Sequence, residues 1–334
     1  MTLRLVLTTS DSGAGHLKSI RRGDKVLALQ HRLVRDPVPI AEDMSTFFSE
    51  RRSLHQIDPA QFGSWVYNLE ESAAKWFDEI PTWWSDCELV EFWADPTPNS
   101  QLILIQFLDW MSRQNFAVEK LRLVHAESKL GERKQDDRRS LNPTPVQVEN
   151  RDLNLARLAW AAFRQPTPEN WAKLLHDDLS SLPVLRPTVL RMLEELPAED
   201  TGLGASELRI LALAASGEVE VATILRAFGI HEEVPTLNYW ETGKAIDLFA
   251  GAPMAAIVGL EDGPFDMELH DNKDRRERYM HSRLSLSRFG RALVERREDF
   301  ARHGRINRWW GGTRLTNANC WRWHGAEQVL LTPR

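Results

Sequence analysis

The chain opens on a short apolar run at residues 3–8, Leu-Arg-Leu-Val-Leu-Thr, followed by small polar residues, which predicts a buried strand. Ser12–Ile20 then reads as a short helix capped by Asp11 or Ser12, and Lys25–Gln30 as a second strand, with Pro37 and Pro39 breaking the chain after it. Phe47, Phe48 and Leu54, then Phe62, Val66 and Leu69, recur at helical spacing. Glu88–Trp93 predicts a third strand, Pro98–Gln114 a nearly all-apolar helix, and Val118–Val124 a fourth strand. Strands alternating with helices predict a parallel sheet covered on both faces, an α/β domain of Rossmann-like layout over residues 1–126.

Between residues 127 and 150 the pattern gives way to charge and proline, which predicts a solvated linker. Residues 151–203 read as a helical segment with Leu155, Leu158, Ala159 and Ala162 on one stripe. From 204 to 334 the chain predicts helices at Ser206–Ser216, Val219–Phe228 and Thr236–Ala250. Strands at Met254–Leu260 and Arg283–Ser287 then bracket a polar loop, Glu268–Arg278. A further helix is expected at Phe289–Arg302, then short antiparallel strands near Arg314-Leu315, Cys320–Trp323 and Val329–Leu331. Three helices followed by a two-stranded ribbon is the order of a winged-helix-like unit inside a mainly helical C-terminal half.

Composition narrows the class. With 334 residues, 42% hydrophobic and 27% charged, the chain is globular in make-up, and its net charge of −6 argues against a protein that coats nucleic acid non-specifically. Cys87 and Cys320 are the two cysteines, far apart, which suits a reducing compartment and excludes a cysteine-built zinc site. No signal-peptide core follows Met1, and the apolar stretch Leu102–Leu108 is too short to span a bilayer, so no membrane contact and a cytoplasmic location are expected. The thirteen tryptophans are expected as core or interface area.

Ligands of open parallel sheets bind beyond the carboxyl ends of the strands. Strand one ends in Asp11-Ser12-Gly13-Ala14-Gly15, strand two in His31 and then Asp36, and strand three in Trp93 and Asp95, with Gln101 opening the next helix. These ten residues form the expected ligand-binding rim, with Asp11, His31 and Asp95 meeting at one crevice. Small residues and free amides at a helix start favour an anion. The dinucleotide fingerprint fails, because Lys18 stands where its third glycine belongs and no acidic residue ends strand two. No Gly-x-x-x-x-Gly-Lys-Ser/Thr loop, Gly-x-Ser-x-Gly elbow or His-Glu-x-x-His pair occurs, so neither a cofactor nor a metal is called for, and no catalytic residue can be assigned. In the helix 236–250, Asn238, Tyr239, Glu241, Thr242 and Lys244 are expected at the surface. With one lysine and one acid they favour protein contact over DNA.

Four motifs resemble a bacterial family catalogued as domain of unknown function 1835. They are Ser10-Asp11-Ser12-Gly13-Ala14-Gly15-His16-Leu17 after strand one, His31–Pro37 after strand two, Trp93–Leu104, and a C-terminal set. That last set comprises Leu286-Ser287-Arg288-Phe289-Gly290, Trp310-Gly311-Gly312 and Trp321-Arg322-Trp323. The resemblance implies architecture but no activity. Where the family carries glycine, aspartate, glycine and glutamate, this chain has Ser10, His31, Asp36 and Ser100, which puts catalysis in doubt and leaves ligand binding. The leading expectation is a binding protein for a small anionic metabolite or nucleotide that signals to a protein partner. The alternatives are a hydrolytic or group-transfer enzyme using Asp11, Ser12, His31 and Asp95, and a winged-helix DNA-binding regulator.

Overall fold

The computed structural model describes residues 3–41, 43–57, 65–131, 143–229, 234–251 and 253–333. The chain divides into two units: Met1–Val189 with Gly311–Thr313, and Leu190–Trp310 with Arg314–Arg334. Phe62 and the charge run 132–139 lie outside the described residues.

The first unit is mixed α/β. It runs β1 (Arg4–Thr8), α1 (Asp11–Ser19), β2 (Lys25–Ala28), α2 (Met44–Ile57), α3 (Trp65–Asp86), β3 (Leu89–Ala94) and α4 (Pro98–Ser112). Then come β4 (Leu121–His125), β5 (Val146–Gln147), α5 (Asn150–Phe163) and α6 (Glu169–Lys173). The five-stranded sheet has the order β2-β1-β3-β4-β5. The first four strands are parallel, and β5 joins antiparallel to β4 inside the stretch expected as linker.

Strand side chains alternate between faces. Val6, Val26, Ala28, Trp93 and Val124 pack with Ala14 and Leu17 of α1 in one cluster. On the other face Phe92 meets Phe107 of α4, ring centroids 4.9 Å apart. Because both faces are covered, β1 reads as a continuous apolar run, and Leu5, Val6 and Leu7 are fully buried. Helix α4 is buried from Pro98 to Met111. A helix hydrophobic all round needs neighbours on every side, and α5 packs along it. Trp84, Trp93, Trp110, Trp160, Trp171, Trp310, Trp321 and Trp323 are buried, as expected of packing residues.

Several boundaries move. Ser10, not Asp11 or Ser12, caps α1, its hydroxyl accepting from the Gly13 amide. The fourth strand starts at Leu121, after a 3-10 turn at Val118–Lys120. The Gly311-Gly312 tip lies against the end of α5, where the Gly312 amide donates to the Phe163 carbonyl (3.0 Å) and the Val38 amide to the Gly311 carbonyl (3.1 Å). A Cβ on Gly312 would stand 2.0 Å from the Arg164 carbonyl oxygen, so this approach requires glycine.

From α7 (Leu185–Glu194) the chain enters the second unit. Its first part holds α8 (Ala205–Ala214), β6 (Val219–Glu220), α9 (Val221–Gly229), α10 (Tyr239–Gly251) and β7 (Ile257–Val258). There follow α11 (Met267–Asp271), α12 (Lys273–His281), β8 (Arg283–Leu286), α13 (Arg288–Val294), α14 (Phe300–His303) and β9 (Asn307–Trp310). The unit closes with β10 (Thr313–Thr316), β11 (Arg322–His324) and β12 (Val329–Leu331). Strands β6, β8 and β7 form an antiparallel sheet with β8 in the centre. The expected polar loop 268–278 is instead the two helices α11 and α12. They are capped by Asp266 and Asn272, whose side chains accept from the Leu269 and Arg275 amides. The expected helix 289–302 is broken into α13 and α14 around Arg296, which has φ +58°.

The C-terminal motifs are close contacts of this unit. Ser287 caps α13, and a Cβ on Gly290 would stand 1.9 Å from the Ala256 carbonyl oxygen. Arg322, between buried Trp321 and Trp323, donates to the Ala198 and Glu199 carbonyls and to Asp299. No described helix is long and apolar enough to cross a membrane.

Candidate functional site

The ten residues expected at the rim fall into three environments. Asp95, at the tip of β3, is buried and accepts from the Thr97 hydroxyl (2.7 Å) and amide (3.2 Å). The Ser100 hydroxyl accepts from the Asp95 amide and pairs with Thr9 (2.8 Å), while Gln101 donates to the Asp95 carbonyl (2.7 Å). Burial pushes the Asp95 carboxyl up. Asp11 is exposed and accepts from the Gln30 amide group (2.7 Å). Ser12, Gly13 and Ala14 form the first turn of α1, and the segment after β4 lies on it: a Cβ on Gly131 would stand 2.5 Å from the Ser12 carbonyl oxygen, and one on Gly13 3.2 Å from Leu130. Gly15 is exposed with nothing near it. The Trp93 ring lies in the cluster beneath α1, its N–H donating to Glu91 (2.8 Å).

His31 and Asp36 turn the other way, into the core. His31 packs edge-on against Phe47 and Phe48, with Nε2 2.6 Å from Gln106 Oε1. Its Nδ1 and the Gln106 Nε2 have no partner among the described residues. Burial, reinforced by the Arg51 charge, lowers its pKa to about 3. Among the described residues no hydrogen bond or ion pair joins Asp11, His31 and Asp95, and His31 lies against Phe47 and Phe48.

Asp36 belongs to a network around Arg51, itself fully buried. Arg51 donates to Glu70 (2.6 Å), the Pro37 carbonyl (2.7 Å), the Arg32 carbonyl (2.8 Å) and Asp36 (3.2 Å). His55 lies 3.6 Å from Glu70, with a pKa lowered to about 3 by burial and by Arg51. Asp36, His55 and Glu70 offer ligand atoms within 4.8 Å of one another. The positive charge at their centre is already supplied by the guanidinium, which fixes the loop after β2 to α2 and α3.

An open, charged cleft among the described residues lies at the opposite end of the strands, where β1 and β2 begin. The cleft, of about 700 Å³, is lined by Arg4, Lys18, Arg21, Arg22, Lys25 and Trp76, with Asp24 as its acid. The turn from α1 to β2 brings these cations together: Arg21 has φ +53°, and a Cβ on Gly23 would stand 2.6 Å from Val6, so the chain crosses β1 closely there. Arg22 is fixed by a bidentate pair to buried Glu91 (2.7 and 3.0 Å), and Asp24 accepts from the Arg4 amide (2.8 Å). The Lys25 ammonium sits over Trp83 (4.6 Å) and Trp76 (5.6 Å). Glu91 faces both Arg22 and, at 3.9 Å, the Arg4 guanidinium, so the five cations of the lining outnumber Asp24 and Glu91 by three in a chain of net charge −6. The C-terminal end of α1 contributes roughly half a negative charge nearby, which this excess outweighs. The rule that looks beyond strand carboxyl ends missed this cleft. The signal was the density of cations at Lys18, Arg21, Arg22 and Lys25.

In the second unit, Asn238 and Glu241 cap α10 reciprocally, and Thr242 is fully buried rather than exposed. Tyr239 and Trp240 pack on Phe265 and His270, and Tyr239 Oη lies 2.9 Å from His270 Nε2. Asp247 accepts from the Phe265 amide and the Tyr279 hydroxyl, and burial raises its pKa to about 6. No family model matches the chain, and no curated protein matches it.

Proposed function

We propose that the protein binds a small phosphate-bearing ligand at the basic cleft where β1 and β2 begin, and that it acts by binding rather than by catalysis. The class of ligand is the one the sequence suggests; its place moves to the opposite end of the strands. One observation carries this reading: five cations against the single acid Asp24 line a cleft of about 700 Å³, within the range of about 300–1,000 Å³ usual for small-molecule sites. Of the rim residues, by contrast, Asp95 and Gln101 bond to each other while His31 and Asp36 bond to Gln106 and Arg51, and no nucleophile, base and orienter stand in sequence there among the described residues.

The strand order β2-β1-β3-β4 with flanking helices supports a Rossmann-like reading of the first unit. In the second, the run α8-β6-α9-α10-β7-β8 with β8 central supports a winged-helix-like one. The first turn of α10, which a groove-reading helix would present to bases, is packed against Phe265 and His270. That favours a protein partner over DNA for the second unit.

Calorimetric titration with pyrophosphate and ribose 5-phosphate tests the proposal. The double variant Lys18→Glu/Arg21→Glu is expected to weaken binding at least tenfold without lowering the melting temperature, because both side chains are exposed. Asp11→Ala, at the rim, is expected to leave binding unchanged. Equal binding by the charge-reversed variant, or loss of binding in Asp11→Ala, contradicts it.

A further inference from the structure

Resting on that reading, we infer that the ligand is a nucleoside phosphate, with its base on Trp76 and its phosphate among Lys18, Arg21 and Arg22. The cleft has two chemically different ends. One offers guanidinium and ammonium groups, which recognise phosphate as a charge and through paired N–H donors. The other offers the indole of Trp76, half-buried on α3 and lining the same cleft. Trp83 follows seven residues later, two helical turns on and hence on the same face of α3. Lys25 holds the two ends together, its ammonium 4.6 Å from the Trp83 centroid and 5.6 Å from that of Trp76. That contact fixes a flexible side chain at the junction, with its charge over the indoles.

A sugar phosphate meets the cationic end and leaves the Trp76 indole with no partner beyond the Lys25 and Lys75 ammonium groups over its ring (5.6 and 5.5 Å). An uncharged nucleoside meets the indole and leaves the excess of cations over Asp24 unmatched. A nucleoside phosphate satisfies both, and every base has a flat π-face, so stacking on Trp76 would give the class without choosing the base. The same chemistry is carried by a free nucleotide and by the end of a single strand.

The experiment is calorimetric titration of the full chain with AMP, ribose 5-phosphate, adenosine and a short single-stranded oligoadenylate. Each is run on the wild type, Trp76→Ala and Trp76→Phe, with melting temperatures measured in parallel. AMP is expected to bind roughly tenfold tighter than ribose 5-phosphate, within the usual worth of a base stacked on an aromatic ring. That preference should vanish in Trp76→Ala and persist in Trp76→Phe, which keeps an aromatic face if the alanine variant folds poorly. Binding of the oligonucleotide with the same dependence on Trp76 also supports the inference and identifies a strand as the source. Equal affinity for AMP and ribose 5-phosphate, or a preference indifferent to Trp76, overturns it while leaving the phosphate site standing. Failure of AMP, ribose 5-phosphate and the oligonucleotide alike overturns both.

Discussion

Lowering the pH from 8 to 5 is expected to cost the first unit roughly 4 kcal/mol of stability, about 2 from each of two buried histidines. His31 and His55 have folded pKa values near 3, against about 6.5 in an unfolded chain. Both values are depressed, so the unfolded state takes up protons first as acid is added. The stability they contribute is complete above about pH 6.5 and is lost as the pH falls towards 3. The second unit moves the other way. Asp247, raised to about 6, makes the native state the better proton binder between about pH 4 and 6, so α10 and its neighbours gain about 1 kcal/mol over the same interval.

Hydrogen exchange corrected for intrinsic rates separates the two responses, since peptides from α2 and α4 should lose protection at pH 5 while those from α10 and α12 do not. The double variant His31→Leu/Gln106→Leu should remove about half of the acid response. It should also keep neutral stability within about 1–2 kcal/mol, because replacing both partners of a half-satisfied buried pair leaves no orphaned group. An unchanged acid response in that variant would show that His31 is protonated in the native state.

Replacing Arg51 with leucine is expected to destabilise the first unit by about 3–5 kcal/mol, the usual result of removing one partner from a buried ionic network. Glu70 and Asp36 would lose the Arg51 guanidinium while still buried, and the Pro37 and Arg32 carbonyls would lose its N–H groups. Arg51→Lys should recover only a fraction, because one ammonium cannot span four acceptors lying in different directions. Urea unfolding curves give the comparison. A loss below about 1 kcal/mol in Arg51→Leu would mean that the carboxyl groups are already neutral or solvated, contrary to their burial.

The sheet was legible because β1, β3 and the buried helix α4 are runs of apolar residues that admit few alternatives. Helices α11 and α12 were not. They bury little beyond Leu269 and Tyr279, and without an apolar stripe the period of 3.6 is silent; the caps Asp266 and Asn272 were the available signal. The residues after the strands are polar, but sequence cannot say whether polar groups serve a ligand or one another. Thr9, Ser100, Asp95, Thr97 and Gln101 bond among themselves. His31 followed a strand, as expected of a rim residue, yet Phe47 and Phe48 draw it inward, a contact across some sixteen residues that no local pattern encodes. The Gly311-Gly312 tip, one of the motifs of the resemblance, is explained by its approach to the Phe163 and Arg164 carbonyls.

The place of the ligand is tested most directly by mapping backbone amide chemical shifts while AMP is added. The largest perturbations should fall at residues 18–26 and along the Trp76 face of α3, at the start of β1 and β2. Perturbations centred instead on residues 9–15 and 95–101 would return the site to the strand tips and contradict the account.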